Sequence, residues 1–364
     1  MSSACKEEED LFNNPEYISY TTTSFFASVI SLVFSFMSLE RLRHVQLSGN
    51  IKLLITYYIF THIALASTVL ANYGWYLERF FHIGPACDVV LVLSRCKSIR
   101  YAFLASFISI TLSHVTITVD KFYATIRPKV YDSLKNRNFA IFLIILNVAI
   151  SSAVAVAIMM QENIREFVPQ CFSFSATDIG AGVYIMFATQ LFVEALVLGT
   201  QKFLLFINNQ RHWKTYSLTR EYQAAENRRV LRRFSPNFYV SSFIILAYNV
   251  LALIFRRFQN DMTKNIYILG ATIIFVIPYL PLILSTLCLR MLNKHIDGER
   301  RRFEELMASW NKPFNLEEQW NTAYNATHPT GISMTSTSRN PFKLPKRKRL
   351  VVKEEESYNT VTEC

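Results

Sequence analysis

Arg95, Lys97 and Arg100 crowd the end of "CDVVLVLSRCKSIR" (87–100), where a long apolar stretch begins, and Glu194 stands alone in another such stretch. Ionisable groups in those surroundings support two kinds of chemistry. They can receive an anionic or hydrogen-bonding ligand, with Glu194 as a counter-charge, or they can neutralise one another, for example Arg100 against Glu194. Near a helix end a cation has a further option, reaching back to the surface along its aliphatic stem. On a helix, at about 100° per residue, Lys97 and Arg100 lie ~60° apart while Arg95 points elsewhere. Arg95, Arg100 and Glu194 are the candidate ligand-binding residues.

Two further segments carry concentrated charge. "VDKFYATIRPKVY" (119–131) places Asp120 beside Lys121 at the end of an apolar stretch, and "SLTREYQAAENRRVLRR" (217–233) is strongly basic. On a helical wheel Leu218, Tyr222 and Ala225 share a direction that turns basic two turns later, at Arg228, Arg229, Arg232 and Arg233. The first three are expected to pack on neighbouring helices, and the four arginines to meet lipid phosphates or a partner. Ser235-Pro236 then suits an N-cap and first helical position, so a new helix is expected to start there.

No catalytic constellation is present: there is no Gly-x-Ser-x-Gly, no His-Glu-x-x-His and no phosphate-binding loop. The chain reads as no enzyme and no cofactor is implied. His62 and His114 lie in apolar stretches without a second ligand at i+4, which reads as hydrogen-bonded core histidine rather than a metal site.

The elements that hold these residues follow from composition. Of 364 residues 51% are hydrophobic and only 18% charged, with a net charge of +11. Soluble domains carry about a quarter charged residues. Seven apolar stretches, near 17–39, 53–73, 101–119, 139–160, 179–201, 237–255 and 266–289, are long enough to cross a bilayer core, which takes roughly 20 helical residues. Backbone N–H and C=O groups in lipid must be paired within their own segment, so each is a helix. The fold class is an all-α membrane protein, a seven-helix transmembrane bundle.

Orientation follows from Lys and Arg in the connections. One alternate set of flanks holds 6 of them and the other, including the C-terminal segment, holds 27. The excess of cations on the cytoplasmic side predicts an N-terminus outside and a C-terminus inside. The expected organisation is an extracellular tail (1–16), a transmembrane domain (17–292), a juxtamembrane amphipathic helix (293–310) and a disordered cytoplasmic tail (311–364). The acidic start "MSSACKEEED" is not a cleavable signal, so targeting falls to the first span. Nucleic acid is excluded as a partner for the basic run, which lies between spans. "KLPKRKRLVVK" (343–353) is expected on anionic membrane lipid. The same topology puts Cys87 and Cys171 in the oxidising compartment. A Cys87–Cys171 disulfide is the expectation, two free thiols the alternative, with Cys96 and Cys288 as packing residues.

A family resemblance rests on these motifs. Asp120, Ala124, Pro128 and Tyr131 fall where rhodopsin-like G-protein-coupled receptors carry Asp-Arg-Tyr-x-Ala-x-x-x-Pro, with Lys121 in place of the arginine. Lysine keeps the charge but loses the planar five-donor fork. A closer similarity is to the nematode serpentine chemoreceptors of the Sra superfamily. It rests on "ERLRH" (40–44), "CDVVLVLSRCKSIR", "DKFYAT" (120–125) and "SLTREYQAAEN" (217–227) in order. The resemblance implies a chemosensory receptor with a small extracellular ligand and a heterotrimeric G protein as partners, in the plasma membrane of sensory neurons, on their cilia. Asp120, Lys121, Tyr222, Arg228, Arg229, Arg232 and Arg233 then become coupling residues. The alternative is a transporter or channel with Arg100 and Glu194 in its pathway. Few glycines and no inverted repeat count against it.

Overall fold

The computed structural model describes residues 14–45, 47–81, 91–127, 131, 137–161, 167–168, 171–172, 180–211, 218–258, 261–262, 270 and 275–310. The chain divides into two compact units, 1–296 and 297–364. Among the described residues there are seven long helices: α1 Pro15–Arg43, α2 Gly49–Phe81, α3 Leu93–Ile126, α4 Asn138–Met159, α5 Gly180–Arg211, α6 Leu218–Arg257 and α7 Leu280–Trp310. Six of them, α1 to α6, are long and apolar enough to cross a membrane. The all-helical membrane fold read from hydropathy is the fold observed.

Helix α3 is the most enclosed of the six and packs on α2, α4, α5 and α6. Around it α1 pairs with α2, and α5 with α6. Lipid supplies no hydrophobic drive between helices, so small residues and polar bonds make the contacts. Helix α1 buries Ser24, Ser28, Ser31, Ser35 and Ser38 completely, while Phe26, Val33 and Phe36 on its other face are exposed. Spacings of four and three keep those serines on one stripe. Ser38 Oγ reaches the Ser285 carbonyl of α7 at 3.4 Å. Asn147 of the apolar helix α4 is buried against α3, accepting from Ser109 Oγ at 2.9 Å and donating to Ser113 Oγ at 3.3 Å. Tyr57 of α2 joins them through Ser109 at 2.7 Å.

Helix ends are capped as their sequence allows. Asn14 accepts from Glu16 N at 2.9 Å ahead of Pro15, and Lys52 Nζ donates to the carbonyls of Arg43, the last residue of α1, and of Val45 just after it. A 3-10 turn, Ile277–Tyr279, precedes α7. Pro278 and Pro281 therefore fall in the first turns, where a missing N–H has no intrahelical partner. The described helix begins at Leu280, later than the 266–289 stretch read from hydropathy, and 263–269 and 271–274 lie outside the described residues.

Helix α6 corrects a second expectation. It does not start afresh at Ser235-Pro236 but runs unbroken from Leu218, with Pro236 inside it. Pro236 is exposed, while Val230, Leu231, Phe234 and Phe238 on the inward side are buried. One lost N–H is offset by that packing. Residues 293–310 are helical as the end of α7. In the second unit, Arg300 pairs with Glu304 one turn on at 3.0 Å, and Phe303 and Met307 are exposed. The segments 1–13 and 311–364, with the basic stretch 343–353, lie outside the described residues.

The disulfide is the third correction. Cys171 is bonded to Cys96, and not to Cys87, which lies outside the described residues. Two short strands, β1 Leu91–Val92 and β2 Phe167–Val168, pair antiparallel with Leu91 opposite Val168. That register brings Cys171 over the first turn of α3, where Cys96 sits. Cys171 N also donates to the Tyr76 hydroxyl of α2 at 2.9 Å. Cys96 was expected to be a packing residue because the apolar run hides where the helix begins.

Peptide mapping without reduction should recover Cys96 and Cys171 in one linked pair. Cys87→Ser should leave surface expression intact, whereas Cys96→Ser should lower it, consistent with the ~2–4 kcal/mol typical of a native disulfide. A linked Cys87–Cys171 peptide would contradict the assignment.

Candidate functional site

Three layers of polar and aromatic groups follow α3 from the disulfide end to the Asp120 end. The outermost begins at Arg100, which is fully buried. One and two turns further, Phe103 and Phe107 lie on the same side of the helix. Phe172, next to the disulfide, enters the bundle here, its ring centroid 4.4 Å from Phe103, 5.9 Å from Phe275 and 6.0 Å from Tyr73. Tyr248 of α6 closes the cluster at 5.8 Å from Phe275, 6.1 Å from Phe107 and 5.7 Å from Phe187. Tyr20 of α1 donates to the Phe275 carbonyl. Buried Asn249 donates to buried Gln190 at 3.4 Å. Rings from α1, α2, α3, α5, α6, the Cys171 segment and the approach to α7 thus converge beside a buried guanidinium. Such a surface suits a small apolar or aromatic molecule carrying a hydrogen-bond acceptor. Lys97 is exposed and does not join Arg100. The backbone of Arg95 is helical, and its side chain lies outside the described residues.

The middle layer holds Glu194, fully buried on α5. Its partner is His114 of α3, whose Nδ1 lies 3.0 Å from Oε1 and 3.1 Å from Oε2. Ser242 Oγ of α6 donates to Oε2 at 2.5 Å. This corrects the suggested Arg100–Glu194 pair. His114 is 14 residues beyond Arg100 on α3, about 21 Å along the axis, so those two groups occupy different layers. His114 is hydrogen-bonded, as a core histidine should be. Its ring packs on Phe238 at 5.3 Å and Tyr58 at 5.6 Å, and Tyr58 lies 4.4 Å from His62. Among the described residues no cluster could hold a metal ion.

The innermost layer begins at Asp120. Its Oδ1 and Oδ2 accept from the Tyr131 hydroxyl at 3.0 and 3.2 Å, and Oδ2 lies 3.3 Å from Lys121 Nζ. Both charges are buried, at 0% and 1% exposure. Lys121 is therefore not presented to a partner in this arrangement. Five residues on, Thr125 Oγ1 accepts from Asn208 Nδ2 of α5 at 3.1 Å and Asn227 Nδ2 of α6 at 3.2 Å. Thr125 comes from "DKFYAT" and Asn227 from "SLTREYQAAEN", so two motifs distant in sequence meet on one hydroxyl. Gln201 of α5 donates to Thr118 of α3 at 3.1 Å between the layers.

The arginines of α6 do not act as one basic face. Arg228 is buried, Arg232 is exposed and donates to Asn209 Oδ1 at 3.3 Å, and Arg233 bonds to His295 of α7. The side chains of Tyr222, Ala225 and Arg229 lie outside the described residues.

His114, Ser242, Gln201, Asn208 and Asn227 are site residues that the sequence reading missed. A signal was present. Glu194, Gln201 and Asn208 recur every seven residues, as do Thr111, Thr118 and Thr125. A seven-residue polar repeat returns to nearly the same helix face, which marks α3 and α5 as neighbours along one seam.

Residues 3–321 match the family model described as a serpentine type seven-transmembrane receptor of class ab, a chemoreceptor. The Caenorhabditis elegans protein "Serpentine receptor class alpha-39" is 29% identical over 257 residues, covering 69% of this chain and 68% of that protein. "Serpentine receptor class alpha-11" of the same nematode is 23% identical over 193 residues, 51% of this chain and 56% of the relative. Seven long helices among the described residues, four of them packed on α3, a disulfide-tethered segment and a match running through nearly all of the bundle agree: the chain belongs to the class ab serpentine chemoreceptor family.

Proposed function

We propose that this protein is a chemosensory receptor that binds a small extracellular molecule and signals through a heterotrimeric G protein. The observation that carries the reading is the continuous layering along α3. An aromatic cluster beside Arg100 lies at one end, and a hydrogen-bond hub joining α3, α5 and α6 lies at the other. The disulfide end faces outside, consistent with the oxidising compartment and with Lys and Arg concentrated in the opposite connections. The C-terminal segment is cytoplasmic, and the receptor resides in the plasma membrane of sensory neurons, with the ciliary membrane as its site by family likeness.

The ligand sits among Phe103, Phe107, Tyr248 and Phe275, with Arg100 answering its acceptor group. Burial of the guanidinium in low dielectric strengthens such a bond. Ligand binding biases two arrangements of the bundle by its differential affinity for them. The coupling end is the Asp120–Lys121–Tyr131 and Thr125–Asn208–Asn227 layer, with Tyr222, Arg228, Arg229, Arg232 and Arg233 on α6. Opening α6 away from Thr125 exposes the buried Lys121 and Arg228 to the G protein. Glu194, engaged by His114 and Ser242, gives no support to a transport pathway.

A chemical panel tested on cells expressing the receptor, with a G-protein readout, should find an agonist. Arg100→Ala should then raise its EC50 about tenfold or more at equal surface expression, the loss expected for a hydrogen bond to a charged group. An unchanged dose–response would assign Arg100 to structure alone.

An epitope at the N-terminus should stain on intact cells, and one at the C-terminus only after permeabilisation. The reverse staining would overturn the orientation.

A further inference from the structure

Tyr58 of α2 packs on His114 of α3 at 5.6 Å, and Tyr76 groups with Cys96 and Cys171 towards the other end. The two helices therefore run antiparallel, with both contacts 18 residues apart along each chain segment. Asn72, 14 residues after Tyr58, then stands at the height of Arg100, 14 residues before His114. Both are fully buried. Neither amide atom of Asn72 has a hydrogen-bond partner among the described residues. A buried amide in that condition is unfavourable, and native proteins keep few of them without a use.

A second amide site lies deeper. Asn249 Nδ2 of α6 donates to Gln190 Oε1 of α5 at 3.4 Å. Gln190 Nε2 is left as a donor and Asn249 Oδ1 as an acceptor, neither with a partner among the described residues. Their side chains belong to residues only 5% and 0% exposed. Tyr248, adjacent to Asn249, meets Phe187, one turn before Gln190, at 5.7 Å and Phe107 at 6.1 Å. The amide pair thus sits at the Phe107 level of α3. Arg100 is seven residues earlier than Phe107, about 10 Å along the axis and on nearly the same face. Phe103, with Phe172 and Phe275 against it at 4.4 and 5.6 Å, lies between the two levels.

The ends differ in chemistry. The outer one offers a guanidinium and an amide, which suits a carboxylate accepting charge-assisted hydrogen bonds. The inner one offers one donor, one acceptor and no charge. A carboxylate there would set an acceptor against Asn249 Oδ1, whereas a hydroxyl or carboxamide answers both atoms. We propose that the ligand is a carboxylic acid carrying a neutral hydroxyl or amide about 10 Å away across an apolar body. Asn72 joins Arg100 in holding the acid, and Gln190 with Asn249 sets specificity for the far group. This assignment rests on the receptor reading above and deepens it.

The test uses the full-length protein in lipid nanodiscs without G protein. Its probes are tritiated straight-chain carboxylic acids of increasing length, ending in a hydroxyl, a carboxamide or neither, and the methyl ester of each. Saturable binding above that to empty nanodiscs should be tightest at the length that spans both ends. A terminal hydroxyl or amide should tighten it about tenfold or more over the matched plain acid. Gln190→Leu combined with Asn249→Leu removes both polar partners together, so neither is stranded, and should bring the functionalised acids down to the affinity of the plain acid. Asn72→Leu should keep that ranking and narrow the gap between the acids and their methyl esters. A merely structural role would weaken every probe alike and leave both ratios unchanged. Equal affinity of functionalised and plain acids for the unmutated protein, or no saturable binding by any of them, overturns the assignment. The expected ranking with no G-protein signal in cells supports the assignment and removes the receptor reading. A G-protein response to agonists that is indifferent to the far group overturns the assignment and leaves the receptor reading standing.

Discussion

A carboxylate buried in a lipid-embedded bundle is costly unless it is paired and hydrogen-bonded. Glu194 meets that constraint through His114, and the rest of the site is arranged around it. Because the pair joins α3 to α5 at mid-height, those helices form one body, reinforced by Gln201 on Thr118 and Asn208 on Thr125. Helix α6 bonds to this body through Asn227 on Thr125, Arg232 on Asn209, Ser242 on Glu194 and Asn249 on Gln190.

The same logic separates the two ends. At the disulfide end the contacts are rings, which tolerate substitution of one apolar surface by another and so can receive a guest. Phe172 enters that cluster because Cys171 is fastened both to Cys96 and to the Tyr76 hydroxyl. At the Asp120 end the contacts are directional. Asp120 is satisfied by Tyr131 and Lys121, and Thr125 gathers amides from two helices. On the proposed function, ligand chemistry and coupling chemistry occupy opposite ends of one helix, with the Glu194 node between them.

Hydropathy made the helices legible, because lipid leaves the backbone no choice within an apolar run of sufficient length. Their ends were less legible. Pro236 suggested a break, yet buried Phe234 and Phe238 carry α6 through it. Cys87 looked like the disulfide partner because nothing in an apolar run marks the first turn of a helix, and the pairing depended on the register of two short strands. Arg100 and Glu194 were recognisable as costly buried charges, but their partners were not, since pairing across helices depends on rotation and height. His114 was read correctly as hydrogen-bonded, without its acceptor. The seven-residue recurrence of Glu194, Gln201 and Asn208 carried that missing alignment, and the family motifs around Thr125 and Asn227 proved to be the two halves of one contact.

The most direct test is a structure of the receptor bound to an agonist and its G protein. The account predicts agonist density among Phe103, Phe107 and Arg100, with the G protein seated at the Asp120 end of α3. An agonist bound elsewhere, with that aromatic cluster unchanged and the G protein away from the Asp120 end, would contradict it.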